Sequence, residues 1–120
     1  MKRKRRATGP SSEVQQLVIE RSGGRCERCR APAVDIHHRK ARGMGGTRDP
    51  RINCASNLVA LCRGCHELIE SRRTRSYGQG WLIPNASRRA AVDIPVSTGL
   101  HGRVWLRDDG SVTPVTDLSQ

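Results

Sequence analysis

The sequence predicts a small α+β domain with an N-terminal helix and a short β-rich C-terminal tail. Two observations lead to this prediction: the order of helix-like and strand-like segments, and a shortage of aromatic residues for a large core. The chain has 120 residues, with no Phe, one Tyr and two Trp. A core this small needs an additional source of stability, and two Cys-x-x-Cys pairs offer a structural metal site. We expect a basic, disordered tail over residues 1–10, the main domain over 11–80 and an extension over 81–120 that packs on or beside it.

The elements follow from local patterns. Ser11 or Ser12 can cap a first helix that runs to about Arg21 and is stopped by glycines. The remaining expected elements are a short strand Val34–His38, a Gly-rich basic loop over 39–56, an apolar strand Leu58–Leu61 and a helix over 63–77. In the tail, Asp108-Asp109-Gly110 indicates a hairpin turn. The β-like runs of the tail are Trp81–Ile83, Ile94–Val96, Val104–Leu106 and Val112–Val115.

The cysteines have the spacing of a zinc site. Cys26 and Cys29 form the first pair, and Cys62 and Cys65 form the second, with 32 residues between the two pairs. Each pair places two sulfurs on one side of an ion, so together they complete a tetrahedral Zn²⁺ site. A thioredoxin-like redox motif is the other interpretation, but no βαβ pattern accompanies it. Cys54 is left over as an incidental thiol.

The charge is strongly positive and unevenly distributed. Net charge is +11; residues 1–80 hold 18 basic and 7 acidic residues, whereas residues 81–120 hold four of each. Arginine suits phosphate contacts, so nucleic acid is the expected partner. A basic surface that serves only solubility is the alternative. The basic start runs into polar residues and no apolar run is long enough for a membrane, so we predict neither a signal peptide nor a membrane span, and a cytoplasmic location.

Three histidines lie beside the zinc ligands without being needed by them. They are His37 and His38, at the end of the expected strand, and His66, directly after Cys65. Each could be an ordinary polar residue of a strand or helix surface. Their grouping instead favours a second, chemically active site. His101 lies in the neutral tail and we interpret it as structural.

These motifs together resemble a known family. The segments Val34-Asp-Ile-His37-His38, Ala55-Ser-Asn57 and Leu58-Val-Ala-Leu-Cys62-Arg-Gly-Cys65-His66 are similar to HNH endonucleases of the four-cysteine type, over about residues 22–76. The resemblance implies a ββα-metal (His-Me finger) fold. More loosely, the basic loop and the tail resemble small HNH proteins of actinobacteria and their phages.

The resemblance also implies roles by position. His37 and His66 would bind one catalytic divalent ion, which could be Mg²⁺, Mn²⁺, Ni²⁺ or Zn²⁺. His38 would be the general base that takes a proton from water. Asn57 would orient that base and hold the loop, with Asn53 as its rival. Glu70 stands four residues after His66, as a further ligand or as an acidic partner of Arg73 or Arg72.

The candidate DNA contacts are basic residues of the loop and of the second helix. Together they predict binding that weakens strongly with salt. No aromatic residue interleaves with the loop, so stacking of single strands is disfavoured. The candidates are Arg39, Lys40, Arg42, Arg48, Arg51, Arg63, Arg72, Arg73 and Arg75.

The sequence therefore predicts a metal-dependent endonuclease that nicks or cuts double-stranded DNA. The alternative from another class is a zinc-stabilised nucleic-acid-binding module without activity. Within the enzyme class, the resemblance favours phage DNA packaging with a terminase over homing or restriction. One active site cuts one strand, so a double-strand break would need a homodimer, two visits or a partner.

Overall fold

The computed structural model describes residues 9–41 and 50–116. Over these residues the chain forms three α-helices and two small antiparallel sheets, as expected for an α+β protein. None of the helices in these two ranges is both long and apolar enough to cross a membrane. The elements are α1 (Ser12–Ser22), β1 (Asp35–His38), β2 (Leu58–Leu61), α2 (Arg63–Ser71), α3 (Arg73–Gln79), β3 (Val96–Thr98), β4 (Gly102–Leu106) and β5 (Val112–Pro114).

Helix α1 begins and ends with the predicted signals. The Ser11 hydroxyl accepts the Val14 amide at 3.2 Å, which satisfies one of the unpaired amides of the first turn. Gly23 ends the helix with φ 65°, a left-handed conformation that favours glycine. Val18 is fully buried and packs with Leu58, so α1 lies against the second strand.

Strands β1 and β2 form an antiparallel pair in which His38 lies opposite Leu58 and Asp35 opposite Leu61. Helix α2 follows β2 directly, with Cys62 as its N-cap. The single helix expected over 63–77 is wrong in one respect, because the chain leaves helical geometry at Arg72. An unbroken helix would use the Ile69 carbonyl for a backbone amide, but this carbonyl accepts the Ser76 hydroxyl at 2.8 Å.

The C-terminal extension is part of the core. Its strands form one sheet in the order β3–β4–β5. Trp81, Val96, Val104 and Leu106 are almost fully buried in the same apolar cluster as Ile69 of α2. Burying these side chains removes apolar surface that the short main domain could not cover alone. The extension therefore packs on the core.

A buried ion pair links α1 to both sheets. Glu27 is fully buried and accepts two hydrogen bonds of 2.8 Å from Arg21. The same carboxylate accepts the Ala60 amide of β2 at 2.8 Å and approaches His101 Nε2 at 2.9 Å. His101 is thus a structural residue, as its sequence context predicted.

Candidate functional site

The two Cys-x-x-Cys pairs come together as predicted. Cys26 and Cys29 lie in the turn between α1 and β1, and Cys62 and Cys65 lie at the start of α2. All four sulfurs are within 4.8 Å of one another, and the Cys29 and Cys62 sulfurs are 3.6 Å apart. A zinc tetrahedron with bonds of about 2.3 Å has edges of about 3.8 Å. The cluster therefore has the ligands and the spacing that zinc requires.

The four thiols differ in their environment. Burial raises the pKa of the Cys65 thiol to about 12, although the Arg28 guanidinium donates to this sulfur at 3.3 Å. Burial would also raise the pKa of Cys26, but hydrogen bonds with the backbone of Cys62, Cys29 and Arg28 lower it to about 7. Four thiolates this close together need a cation to offset their charge.

A second group of metal-type ligands lies where β1 meets α2. It consists of His37, His66 and Glu70, whose potential ligand atoms are within 4.8 Å of one another. We call it the histidine cluster. Alternate residues of β1 point to one side, and residues four apart on α2 share a face. Asp35 therefore meets His66, and His37 meets Glu70.

Each histidine of the cluster has one ring nitrogen held by a neighbouring oxygen. His37 Nε2 lies 3.0 Å from the Trp81 carbonyl oxygen, which can only accept, so this nitrogen carries the proton. Nδ1 is left with its lone pair 3.7 Å from Glu70 Oε2. In the same way, His66 Nδ1 donates to Asp35 Oδ2 at 3.2 Å. Partners of this kind are typical of histidines that bind metals.

The electrostatics of the cluster favour neutral imidazole at His37. Burial lowers the pKa of His37 because the surrounding protein solvates the charged ring poorly, and the neighbouring His66 lowers it further. The Trp81 carbonyl and Glu70 act in the opposite direction without reversing the shift. His37 is therefore neutral, and able to bind a cation, at neutral pH.

The structure corrects the expectation that Asn57 orients the His38 ring. Asn57 does not contact the His38 ring; instead Asn53 Oδ1 lies 2.8 Å from His38 Nε2. An amide oxygen only accepts, so Nε2 carries a proton, and in the neutral form of the ring the lone pair is on Nδ1. The rival asparagine therefore orients the candidate base, because the 3-10 helix Pro50–Asn53 returns the chain to β1.

Asn57 has the other part of its predicted role, which is to hold the loop. Its side chain is buried and forms three hydrogen bonds to backbone groups. Oδ1 accepts the Lys40 amide at 2.9 Å, while Nδ2 donates to the Lys40 carbonyl at 3.1 Å and to the Ile52 carbonyl at 2.8 Å. Asn57 thus joins the two ends of the basic loop.

A cleft opens beside His38, the second histidine of the dipeptide. His38 and Glu70 line it, together with Arg73 and Tyr77 of α3. The Arg73 guanidinium donates to Glu70 Oε1 at 2.8 Å and to the Tyr77 hydroxyl at 3.0 Å. Glu70 therefore belongs to the cluster and also pairs with Arg73, the acidic partnership expected from the sequence. We call this cleft the histidine cleft.

Arg39 is not the phosphate contact that the sequence predicted. Its side chain is fully buried, and burial lowers its pKa to about 9. The guanidinium donates to four backbone carbonyls at 2.6–3.2 Å, so it joins chain segments inside the protein. These carbonyls belong to Ser56, Gly80, Ala91 and Ile94.

The other predicted DNA contacts are spread over several faces. Arg63 lies 3.6 Å from the Asp35 carboxylate, and Arg72 and Arg75 share a shallow cleft with Arg28 on another face of α2. Lys40 and Arg51 line a pocket next to the histidine cleft. Arg42 and Arg48 lie outside the described residues, as does most of the predicted N-terminal tail.

The sequence missed several residues of the site. Asp35 could have been found, because it precedes His37 by two residues in a strand and therefore shares its face. Tyr77 and Asn85, which also line the histidine cleft, carry no sequence signal, since tertiary packing alone brings them there. Comparison of the chain with protein-family models, curated proteins and solved structures finds no match to any of them.

Proposed function

We propose that the protein is a metal-dependent endonuclease of the HNH type that hydrolyses phosphodiester bonds in DNA. One observation carries the proposal: the cleft that His38 lines is also lined by Glu70, which belongs to the histidine cluster, so the candidate base and the candidate metal ligands adjoin one another. A domain that only binds nucleic acid does not need this combination. Net charge of +11 supports DNA as the substrate.

The residues of the histidine cluster fit a divalent cation. Two nitrogens and one carboxylate oxygen suit Mn²⁺, Ni²⁺ or Zn²⁺, and fewer than six protein ligands leave room for phosphate and water. When bound, such an ion would stabilise negative charge on the phosphate and the departing oxygen. His37 and Glu70 would hold it from the strand and the helix, and His66 from the first turns of α2.

His38 would act as the general base. Its ring lines the histidine cleft, and the hydrogen bond between Nε2 and Asn53 would orient the ring and leave Nδ1 to accept a proton. A neutral imidazole takes a proton well at neutral pH. Arg73, at the mouth of the same cleft, would receive a phosphate oxygen of the strand to be cut.

The zinc-stabilised binding module without activity is the second candidate. The observation that favours it is the ion pair of 2.8 Å between Glu70 and Arg73. This pair offers the carboxylate a partner other than a metal, and a cleft closed in this way needs no ion. The two candidates differ in whether a second metal binds after the cysteines have been saturated with zinc.

The test is cleavage of supercoiled plasmid by the zinc-loaded protein with Mg²⁺, Mn²⁺, Ni²⁺ or EDTA. We expect nicked circles before linear DNA, because one cleft cuts one strand. His38→Ala should lower cleavage by about 10²–10⁴-fold. Its affinity for DNA should stay near that of the wild type. A folded wild type that binds DNA but cuts with none of these ions, and takes up no second metal, would support the binding module instead.

A further inference from the structure

A pocket with four cationic side chains adjoins the histidine cleft. Lys40, Arg51, Arg88 and Arg89 line it, together with apolar and amide groups such as Ile83 and Asn57. Among the described residues that line it, none is an Asp or a Glu. We call it the basic pocket. Two of its four cations come from the C-terminal extension, whose net charge is zero.

The pocket is built by buried contacts. The Arg39 guanidinium holds Ser56, Ala91 and Ile94 together through their carbonyls, and so fixes the segment that follows Arg88 and Arg89. Lys40 pairs with Ile83 in an isolated parallel β-bridge. The basic pocket is therefore a fixed feature of the fold, with Arg39 as its support.

Three cations of the pocket, Lys40, Arg88 and Arg89, have no acidic partner among the residues that the structure describes. Arg88 is exposed and has no hydrogen bond or ion pair with any residue that the structure describes. Arg89 donates to the Asp93 backbone carbonyl at 2.5 Å, and Lys40 Nζ donates to the Ser87 carbonyl at 3.0 Å. Carbonyls orient these groups without neutralising them, so the pocket has an excess of positive charge that attracts an anion.

The pocket and the histidine cleft are neighbours. Ile83 lines both of them, so one side chain forms the wall between the two. Lys40 comes two residues after His38 in the chain. A strand with one phosphate at His38 and Arg73 would place another phosphate of the same backbone near the basic pocket.

We propose that the basic pocket binds a phosphate of the DNA backbone next to the one that is cut. The C-terminal extension is then part of the DNA-binding surface, through Arg88 and Arg89. The position of this phosphate relative to the cleaved one rests on the proposed nuclease function. The binding of a DNA phosphate in the pocket does not depend on cleavage. It gives the neutral extension a role in substrate binding.

The test compares two double variants of equal charge. R88A/R89A removes two cations of the pocket, and R103A/R107A removes two arginines of the same extension that do not line it. Affinity for a short duplex is measured in EDTA at several salt concentrations, so that no cleavage occurs. One lost phosphate contact lowers affinity roughly eightfold at 0.1 M salt, and the salt slope by about 0.9. We expect this loss for R88A/R89A and near-wild-type binding for R103A/R107A.

Two further arms complete the test. R88K/R89K keeps the charge and should bind DNA within a few-fold of the wild type. Inorganic phosphate should displace DNA only at concentrations where other salts also weaken DNA binding, because the site binds a phosphate that is part of a polymer. Equal losses in the two alanine double variants would overturn the proposal, since they would show a general charge effect. Competition by inorganic phosphate at much lower concentrations would overturn it in favour of a site for free phosphate.

The outcome for the pocket is separable from that for the nuclease. If the wild type cuts DNA but R88A/R89A binds and cuts like R103A/R107A, the pocket proposal fails alone. If the wild type never cuts but R88A/R89A loses affinity selectively, the nuclease proposal fails and the pocket remains a DNA-phosphate site.

Discussion

Helix α2 contributes to two groups of metal-type ligands that differ in their exposure to solvent. Cys65 points into the four-cysteine cluster and is buried, with 6% of its surface exposed. His66, the next residue, points to the histidine cluster and leaves 32% of its side chain exposed, while Glu70 leaves 47%. Successive residues of a helix are about 100° apart. One turn of α2 can therefore serve two separate sites.

The difference shows how a small domain can separate stability from chemistry. Four thiolates close the shell of a zinc ion, so no position is left for a substrate. The histidine cluster offers three ligands, and its Glu70 lines the histidine cleft, so a bound ion would keep positions for water and phosphate. The closed group should determine whether the protein folds, and the open group should determine only what the folded protein does.

The largest effect is expected from opening the closed site. Cys62→Ser together with Cys65→Ser, or removal of zinc by a chelator, should unfold the protein at neutral pH. A structural zinc contributes about 10 kcal/mol or more to small domains, which exceeds the net stability of many proteins. Circular dichroism and zinc content check this prediction. Cys54→Ser, outside the cluster, is the control and should keep both; a folded, zinc-free double variant would contradict the prediction.

The buried ion pair of Glu27 is a second closed group, and its loss should have the next largest effect. Glu27→Gln leaves the Arg21 guanidinium buried without a counter-charge, which should lower the free energy of unfolding by about 3–5 kcal/mol. Urea unfolding with the zinc-loaded protein checks this value. Glu20→Gln, which alters an exposed carboxylate of α1, is the matched control and should leave stability within about 0.5 kcal/mol of the wild type.

The same group gives a dependence on pH with a definite sign. Burial would raise the pKa of Glu27, but hydrogen bonds from His101 and Arg21 outweigh it and hold the pKa below its ordinary 4.5. The folded state therefore binds the proton less readily than the unfolded state. Its stabilisation should be complete above about pH 4.5 and should be lost as the pH falls further. A wild type and a Glu27→Gln variant with the same acid dependence would contradict this prediction.

The sequence was a good guide where a local pattern determines the structure. The cysteine spacing, the Ser11 cap and the alternation that places His37 on one face of β1 are all local, and each of these features is present in the fold. The pairing of Asp35 with His66 follows from the same local periodicities once β1 and α2 are adjacent.

The sequence was a poor guide where distant segments meet. Arginine is a residue type expected at the surface, but the four carbonyl groups that Arg39 contacts belong to segments up to 55 residues away. Asn53 and Asn57 are four residues apart, and only the path of the loop decides which one reaches His38. Arg88 and Arg89 were overlooked because a net charge summed over the extension hides two cations that lie side by side.

A smaller effect is expected from altering the open site. His66→Gln should leave zinc content and folding unchanged, because this side chain is partly exposed and outside the core. It should lower the affinity for Mn²⁺ by at least about tenfold and cleavage by about 10²-fold, since a ligand of the ion is lost. Titration of Mn²⁺ into zinc-loaded protein checks the first value. Unchanged Mn²⁺ binding would contradict the assignment of the histidine cluster, whatever the activity.

The smallest effect is expected from Asp35, which acts through His66. Its carboxylate accepts the His66 Nδ1 proton at 3.2 Å, so it would leave Nε2 as the nitrogen that can bind an ion. Asp35→Asn can still accept a hydrogen bond but removes the charge, and should weaken Mn²⁺ binding and cleavage by about tenfold. The melting temperature and the affinity for DNA in EDTA should not change.

A purely structural role for Asp35 would give a different result. NMR of the His66 ring nitrogens should report a proton on Nδ1 in the wild type and a mixture of tautomers in Asp35→Asn. Asp93→Asn, an exposed carboxylate in the extension, is the matched control and should change neither. If Asp35→Asn instead lowered the melting temperature and kept the tautomer, the carboxylate would serve to join β1 to α2. The open site would then resemble the closed one in being held mainly for stability.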